Sequence, residues 1–195
     1  MMIMKHIRAF ARARAGLAAL EFALIAPIML FILFGAVELT NALNAVRRVE
    51  NLAASIADVI SRDTAVTDAE IEDIWHATEP LMFPDNPIGA RIRITSILVE
   101  DATTARVVWS EGHGGLAGLT PDSTITLPPA MRIPGRGVIM TDVVYPYDPV
   151  LSFVFGDRGL HTLVDPQSDN HGAFDIEQTA YRPTRLVDPL NRIAG

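Results

Sequence analysis

Residues 17–37 read LAALEFALIAPIMLFILFGAV, and Glu21 is the only charged residue between Arg14 and Glu38. As a helix rising about 1.5 Å per residue, such a run spans roughly 30 Å, the thickness of a bilayer's hydrocarbon core. It is long enough to cross a membrane once. Pro27, inside the run, lacks an amide donor and predicts a kink, which membrane helices tolerate. Gly35 reads as a close-packing position. An acid near the centre of a membrane helix is disfavoured by roughly 2.5–3.5 kcal/mol, less near the interface, and such residues usually face a partner. Glu21 therefore either faces a partner or is an interfacial acid that snorkels to the headgroups, and the first reading is favoured.

The flanks set the orientation. Lys5, Arg8, Arg12 and Arg14 all precede Gly16 with no acid among them, whereas Glu38 follows the run directly and the next basic residue is Arg47. Basic residues gather on the cytoplasmic side, which places the N-terminus inside and the bulk of the chain outside. A cleaved secretory signal also has a basic start, but its apolar region is about 7–15 residues and it ends near an Ala-x-Ala site. Here Ala42 and Ala45 stand three apart, and Thr40-Asn41-Ala42 is a poor version of that site. An ordinary signal anchor fits length and charge, yet leaves Glu21 unexplained. A cut between Gly16 and Leu17 would create a positively charged amine four residues before Glu21. Within one helix the two groups meet only loosely, but the amine of one subunit can pair with the carboxylate of a staggered neighbour. The acid then serves assembly.

This arrangement resembles the type IV prepilin class, in which a short basic leader ends in Gly, an apolar helix follows, and Glu is the fifth mature residue. The more particular resemblance is to the TadE-like pseudopilins of the tight adherence (Flp) pilus. It rests on Gly16, Ala18, Ala19, EFAL at 21–24, Pro27, IMLFILFG at 28–35 and Glu38. Leu17 is bulkier than the residue many relatives carry there. Phe22 stands where major Flp pilins have Tyr, which favours a pseudopilin over the main filament subunit. The resemblance implies cleavage between Gly16 and Leu17 by a prepilin peptidase, whose catalytic acids are its own, with Glu21 serving processing or assembly. The implied partners are that peptidase, other pilins and pseudopilins, the inner-membrane assembly platform and membrane lipid.

The chain of 195 residues has a formal charge of -7 and a mean hydropathy of +0.26, high for a purely soluble protein. Without the four leader cations, 12 basic residues face 23 acidic ones, a net of -11, which opposes binding to nucleic acid. The absence of cysteine excludes disulfides, thiol catalysis and thiolate metal sites.

Past Glu38 the apolar block becomes a stripe. Ala42, Val46, Val49, Ala53, Ile56 and Ile60 recur at spacings of 4, 3, 4, 3 and 4, so one helix is expected from about Leu17 to Ser61, with its outer stripe covered by the chain's own sheet. A second helix is expected over Thr67 to about Thr78, where an N-cap and early acids precede Ile71, Ile74 and Trp75. PLMFPDNPIG reads as a linker into a β region. RIRITSILVE at 91–100, with Ile92, Ile94 and then Ile97 or Leu98 inward, and ARVVWS at 105–110 form a hairpin across DATT. Further strands are expected at 137–147 and 174–183. Leu151, Phe153, Val154 and Phe155 read as a loop that tucks onto the core or meets another subunit.

The expected fold is therefore α+β: a long N-terminal transmembrane and amphipathic helix packed on a small antiparallel sheet, which is pilin-like. The expected divisions are a leader at 1–16, a transmembrane helix at 17–37, an amphipathic helical stalk at 38–80 and an extracytoplasmic β-rich domain at 81–195.

Catalytic readings are weaker. GHGGLAG at 112–118 lacks the Lys and Ser/Thr of a phosphate loop, and LTPDS follows where a dinucleotide site needs a helix. It reads as a turn. His6, His76, His113, His161 and His171 lack ligand spacing, and His76 with Glu72 reads as a helix-surface pair. Asp165, Asp169 and Asp175 lack the order of a calcium loop, and no G-x-S-x-G occurs. No enzyme activity, cofactor or metal site is expected. The functional expectation is a minor pseudopilin that helps build an adhesion filament. The alternative is an uncleaved single-pass anchor whose outer domain binds a ligand or scaffolds an envelope complex.

Overall fold

The computed structural model describes residues 14–83, 89–149 and 174–193. The chain forms two compact units, Met1–Asn41 and Ala42–Gly195, and helix α1 (Arg14–Ile60) contributes to both. The order continues with β1 (Ala65–Thr67), α2 (Asp68–Met82), β2 (Arg91–Val99), β3 (Ala105–His113) and β4 (Thr124–Ile125). A 3₁₀ turn (Pro129–Met131), β5 (Gly137–Tyr147), β6 (Phe174–Pro183) and β7 (Asn191–Ile193) complete it. The architecture is α+β, a long apolar N-terminal helix followed by a small antiparallel sheet. The segment holding Leu151, Phe153, Val154 and Phe155 lies outside the described residues.

In the second unit the outer part of α1 buries Ala45, Val49, Leu52, Ala53, Ile56, Ala57 and Ile60. This face lies slightly to one side of the expected stripe, since Ala42 and Val46 are only half-buried while Ala45 and Leu52 are enclosed. Leu52 supplies the largest side chain on that face. The alanines keep the helix surface low, so the sheet can approach it. Ile92, Ile94, Ile139, Val143 and Tyr145 of β2 and β5 share this core with α1. The chain's own sheet covers the stripe, as expected.

The main sheet has the order β4-β3-β2-β5-β6, with every neighbouring pair antiparallel. Strands β5 and β6 keep the expected bounds, while β3 runs three residues past the expected end, taking in Glu111, Gly112 and His113. Ser96 lies opposite Trp109 but Ile97 lies opposite Val107, so Val108 is an unmatched bulge residue on β3. Strand β2 alternates without interruption. Ile92, Ile94 and Ser96 therefore face α1, and Ile97 faces away from it. Of the two inward candidates Ile97 and Leu98, Ile97 is the fully buried one, and it points not to the helix-facing core but into a second core with Val99, Val138, Met140 and Leu127. On the polar part of that second face, Arg93 donates from Nε (2.9 Å) and Nη2 (2.7 Å) to Asp142 Oδ2, and Thr179 Oγ1 donates to Asp142 Oδ1 at 2.7 Å.

Helix α2 opens with a capping box: Glu70 N donates to Thr67 Oγ1 at 3.3 Å, and Thr67 N donates to Glu70 Oε2 at 2.7 Å. Those bonds from Thr67 hold the Glu70 carboxyl below its ordinary range. The helix continues past Thr78 to Met82, which is fully buried and anchors the extra turn despite the donor missing at Pro80.

The last described stretch was not expected as structure. Strand β7 pairs in parallel with β1, and Leu190 just before it is fully buried. The Leu190 carbonyl accepts from Ser96 Oγ at 2.7 Å and from Trp109 Nε1 at 2.9 Å. Arg192 donates from Nε to Asp68 Oδ1 at 2.9 Å and also pairs with Glu111, joining the C-terminal strand to α2 and β3.

Between β2 and β3, Asp101 Oδ1 accepts from Thr103 N, Thr103 Oγ1 and Thr104 N, each at 2.7 Å. The Thr103 hydroxyl, then the Thr103 and Thr104 amides, hold the Asp101 carboxyl down to about 2 from an ordinary 3.8. A depressed folded value means that the turn's contribution is complete above the ordinary value and is lost as pH falls toward about 2. We expect the Thr103 and Thr104 amide NMR shifts to move with a midpoint near pH 2. A midpoint at the ordinary aspartate value would show the turn to be open in solution.

Candidate functional site

The first unit carries the chemistry that the sequence singles out. Along α1 the large apolar residues Leu20, Phe22, Leu24, Ile25, Ile28, Met29 and Leu30 are each more than half exposed, and so are Phe31, Ile32, Leu33, Phe34 and Val37. Exposed contiguous apolar surface of this extent is disfavoured in water by about 25 cal/mol per Å², and monomeric soluble proteins rarely display it. From Ala18 the helix is long and apolar enough to cross a membrane. It is an N-terminal helix compatible with single-pass anchoring.

Glu21 lies on this surface, is exposed, and has no ion-pair partner among the described residues. The helix starts at Arg14, so the bond between Gly16 and Leu17 falls in its first turn. About 6 Å of helical rise separates Leu17 from Glu21. The side chains of Arg14, Gly16 and Leu17, and all of Lys5, Arg8 and Arg12, lie outside the described residues. The helix is continuous through Pro27, and an added Cβ at Gly35 would meet nothing within 4 Å, so the space beside Gly35 is open to a neighbour. What this arrangement can do is electrostatic: a lone carboxylate on an apolar rod can hold a cation brought by another molecule.

The glycine run has a different explanation. Gly112, near the end of β3, packs so tightly that a Cβ would stand 1.7 Å from Leu116 O, and Gly114, at φ +69, would place one 2.3 Å from Ala90 O. The run is a packed turn. His76 Nε2 lies 3.7 Å from Glu72 Oε1 with both side chains largely exposed, the expected surface pair. Asp175 pairs with Arg91, whereas Asp165, Asp169, His6, His161 and His171 lie outside the described residues. Among the described residues no group of three or more His, Asp or Glu is placed to hold a metal.

Two features had no sequence signal. His113 stacks on Trp75 with ring centroids 4.8 Å apart, joining the end of β3 to α2. Between α1 and α2 an apolar cleft opens beside Asp63, Glu70 and Asp73. Both bring together residues distant in the chain, so only the fold reveals them.

Comparison with known proteins bears on the helix. Residues 16–58 match the family model described as TadE-like protein. The match begins at Gly16, includes Glu21, ends inside α1 and takes in none of the sheet. No curated protein and no solved structure matches the chain.

Proposed function

We propose that this chain, TadE-like over residues 16–58, is a minor pseudopilin that helps assemble a Tad (Flp) pilus used in surface adhesion. In this reading residues 1–16 are the leader, 17–37 cross the inner membrane with the N-terminus in the cytoplasm, 38–80 form the stalk and 81–195 the extracytoplasmic domain. A prepilin peptidase cuts between Gly16 and Leu17. The new Leu17 amine then pairs with Glu21 of a neighbouring pilin or pseudopilin as the subunits stagger. The bond to be cut lies in the first helical turn, where fraying costs little, so local opening can present it to the peptidase. The chain contributes packing and charge rather than catalysis.

The observation that carries the reading is Glu21 itself, exposed on an apolar helix with no ion-pair partner among the described residues. A carboxylate held in lipid is retained where a partner compensates it. The intact mass of the protein extracted from its native membranes tests this. Loss of residues 1–16 is expected. The full chain would identify an uncleaved anchor, and loss of about 40 residues a secreted protein.

A further inference from the structure

In the second unit, a cleft of about 380 Å³ opens between the outer end of α1 and helix α2. Ile56, Ile60, Val66 and Ile74 line it, and Val59 and Leu81 stand at its lips, 57% and 45% exposed. Two helix faces meeting over an apolar trough leave room for a third helix, the helix-in-groove mode of recognition.

The charges beside the trough narrow the choice of occupant. Asp63, Glu70 and Asp73 line it, and none of them has a cation partner among the described residues. Arg62 is engaged by Asp58, and Arg192 by Asp68 and Glu111. Burial, and then the neighbouring Glu70 carboxylate, push the Asp63 carboxyl above its ordinary range, so negative charge is crowded here. Such a rim opposes an anionic lipid headgroup or fatty acid and favours an apolar segment that brings a cation.

The same chain displays one. On α1, Leu43 is 52% exposed and lies one turn before Arg47, which is exposed and has no ion-pair partner among the described residues. At 3.6 residues per turn, Leu43 and Val59 lie roughly 160° apart around the helix. The ridge and the trough therefore occupy opposite sides of α1.

We propose that the cleft of one copy receives the Leu43–Arg47 segment of a second copy, with Leu43 on the apolar floor and the Arg47 guanidinium between Asp63 and Asp73. Because ridge and trough face opposite ways, one partner cannot satisfy both. The contact is heterologous and propagates as an open chain of copies instead of closing into a dimer. It deepens the assembly reading and rests on it for its cellular role.

The chain has no cysteine, so introduced thiols report cleanly. Full-length Leu43→Cys and Val59→Cys variants carrying different tags are mixed in detergent micelles and oxidised. The mixed disulfide is expected in about tenfold excess over either same-variant product. The double variant should give a ladder of dimers, trimers and higher products. Arg47→Glu should cut the mixed product about tenfold, and adding Asp63→Arg and Asp73→Arg should restore it. A mixed product no more abundant than the same-variant ones overturns the proposal, whether a different subunit or a lipid chain fills the cleft. Because the assay uses the uncleaved chain, its failure leaves the mass measurement at Gly16 standing, and the reverse also holds.

Discussion

The Glu21→Ala variant is expected to insert into the membrane at least as well as the native chain and to support no filaments. Removing the carboxylate relieves an insertion penalty of up to roughly 2.5–3.5 kcal/mol, smaller if the residue sits near the interface. In the proposed assembly the same change would strip the neighbouring Leu17 amine of its counter-charge. Breaking a buried pair by removing one partner costs about 3–5 kcal/mol, since the remaining charge stays desolvated. That is about 10² to nearly 10⁴-fold per contact, repeated wherever such a subunit joins. Glu21→Gln keeps size and hydrogen bonding but not charge, and should also fail, whereas Glu21→Asp should recover part of the assembly. Counting filaments by electron microscopy beside the amount of variant in the membrane fraction separates the two effects. Normal piliation by a well-inserted Glu21→Ala chain would remove the assembly role of this residue.

Glu21 was legible in the sequence because it breaks a pattern: one charge in an apolar run is visible without knowing any fold. Helix α1 was legible for the related reason that its outer face repeats at helical spacing, and β5 and β6 because long alternating or β-branched runs end at turn residues. That Ile97 or Leu98 turns inward was legible, but which core Ile97 joins was not. Both faces of β2 carry apolar residues, so alternation does not say which one meets the helix, and the bulge at Val108 is a property of two strands together. The α1–α2 cleft was not legible because Asp63, Glu70 and Asp73 interrupt its apolar walls in the sequence, and only the packed helices align the rest. Strand β7 is three residues long and pairs with an equally short strand over a hundred positions earlier. No local period can announce such a pairing.

That C-terminal strand sets the last expectation, a large loss of stability in the Leu190→Ala variant. Leu190 is fully buried in the core shared by α1 and the sheet, and its carbonyl accepts from both Ser96 Oγ and Trp109 Nε1. Truncating a leucine at such a site costs about 2–5 kcal/mol, the removed methyl groups plus the cavity left where the surroundings cannot collapse. The surroundings are constrained here, because β7 is held by β1 on one side and Arg192 is tied to Asp68 and Glu111 on the other. In a domain of this size about 1 kcal/mol shifts Tm by roughly 2–4 °C, so a fall of about 5–20 °C follows. The full chain in detergent, carrying Trp75→Phe so that Trp109 is its only indole, is melted while its near-ultraviolet circular dichroism is recorded. Leu186→Ala serves as the control, because Leu186 is 65% exposed and its loss should change stability by about 0.5 kcal/mol or less. If Leu190→Ala melts with that control, the C-terminal strand is an attachment that the core does without, and the two hydrogen bonds to its carbonyl do not hold it.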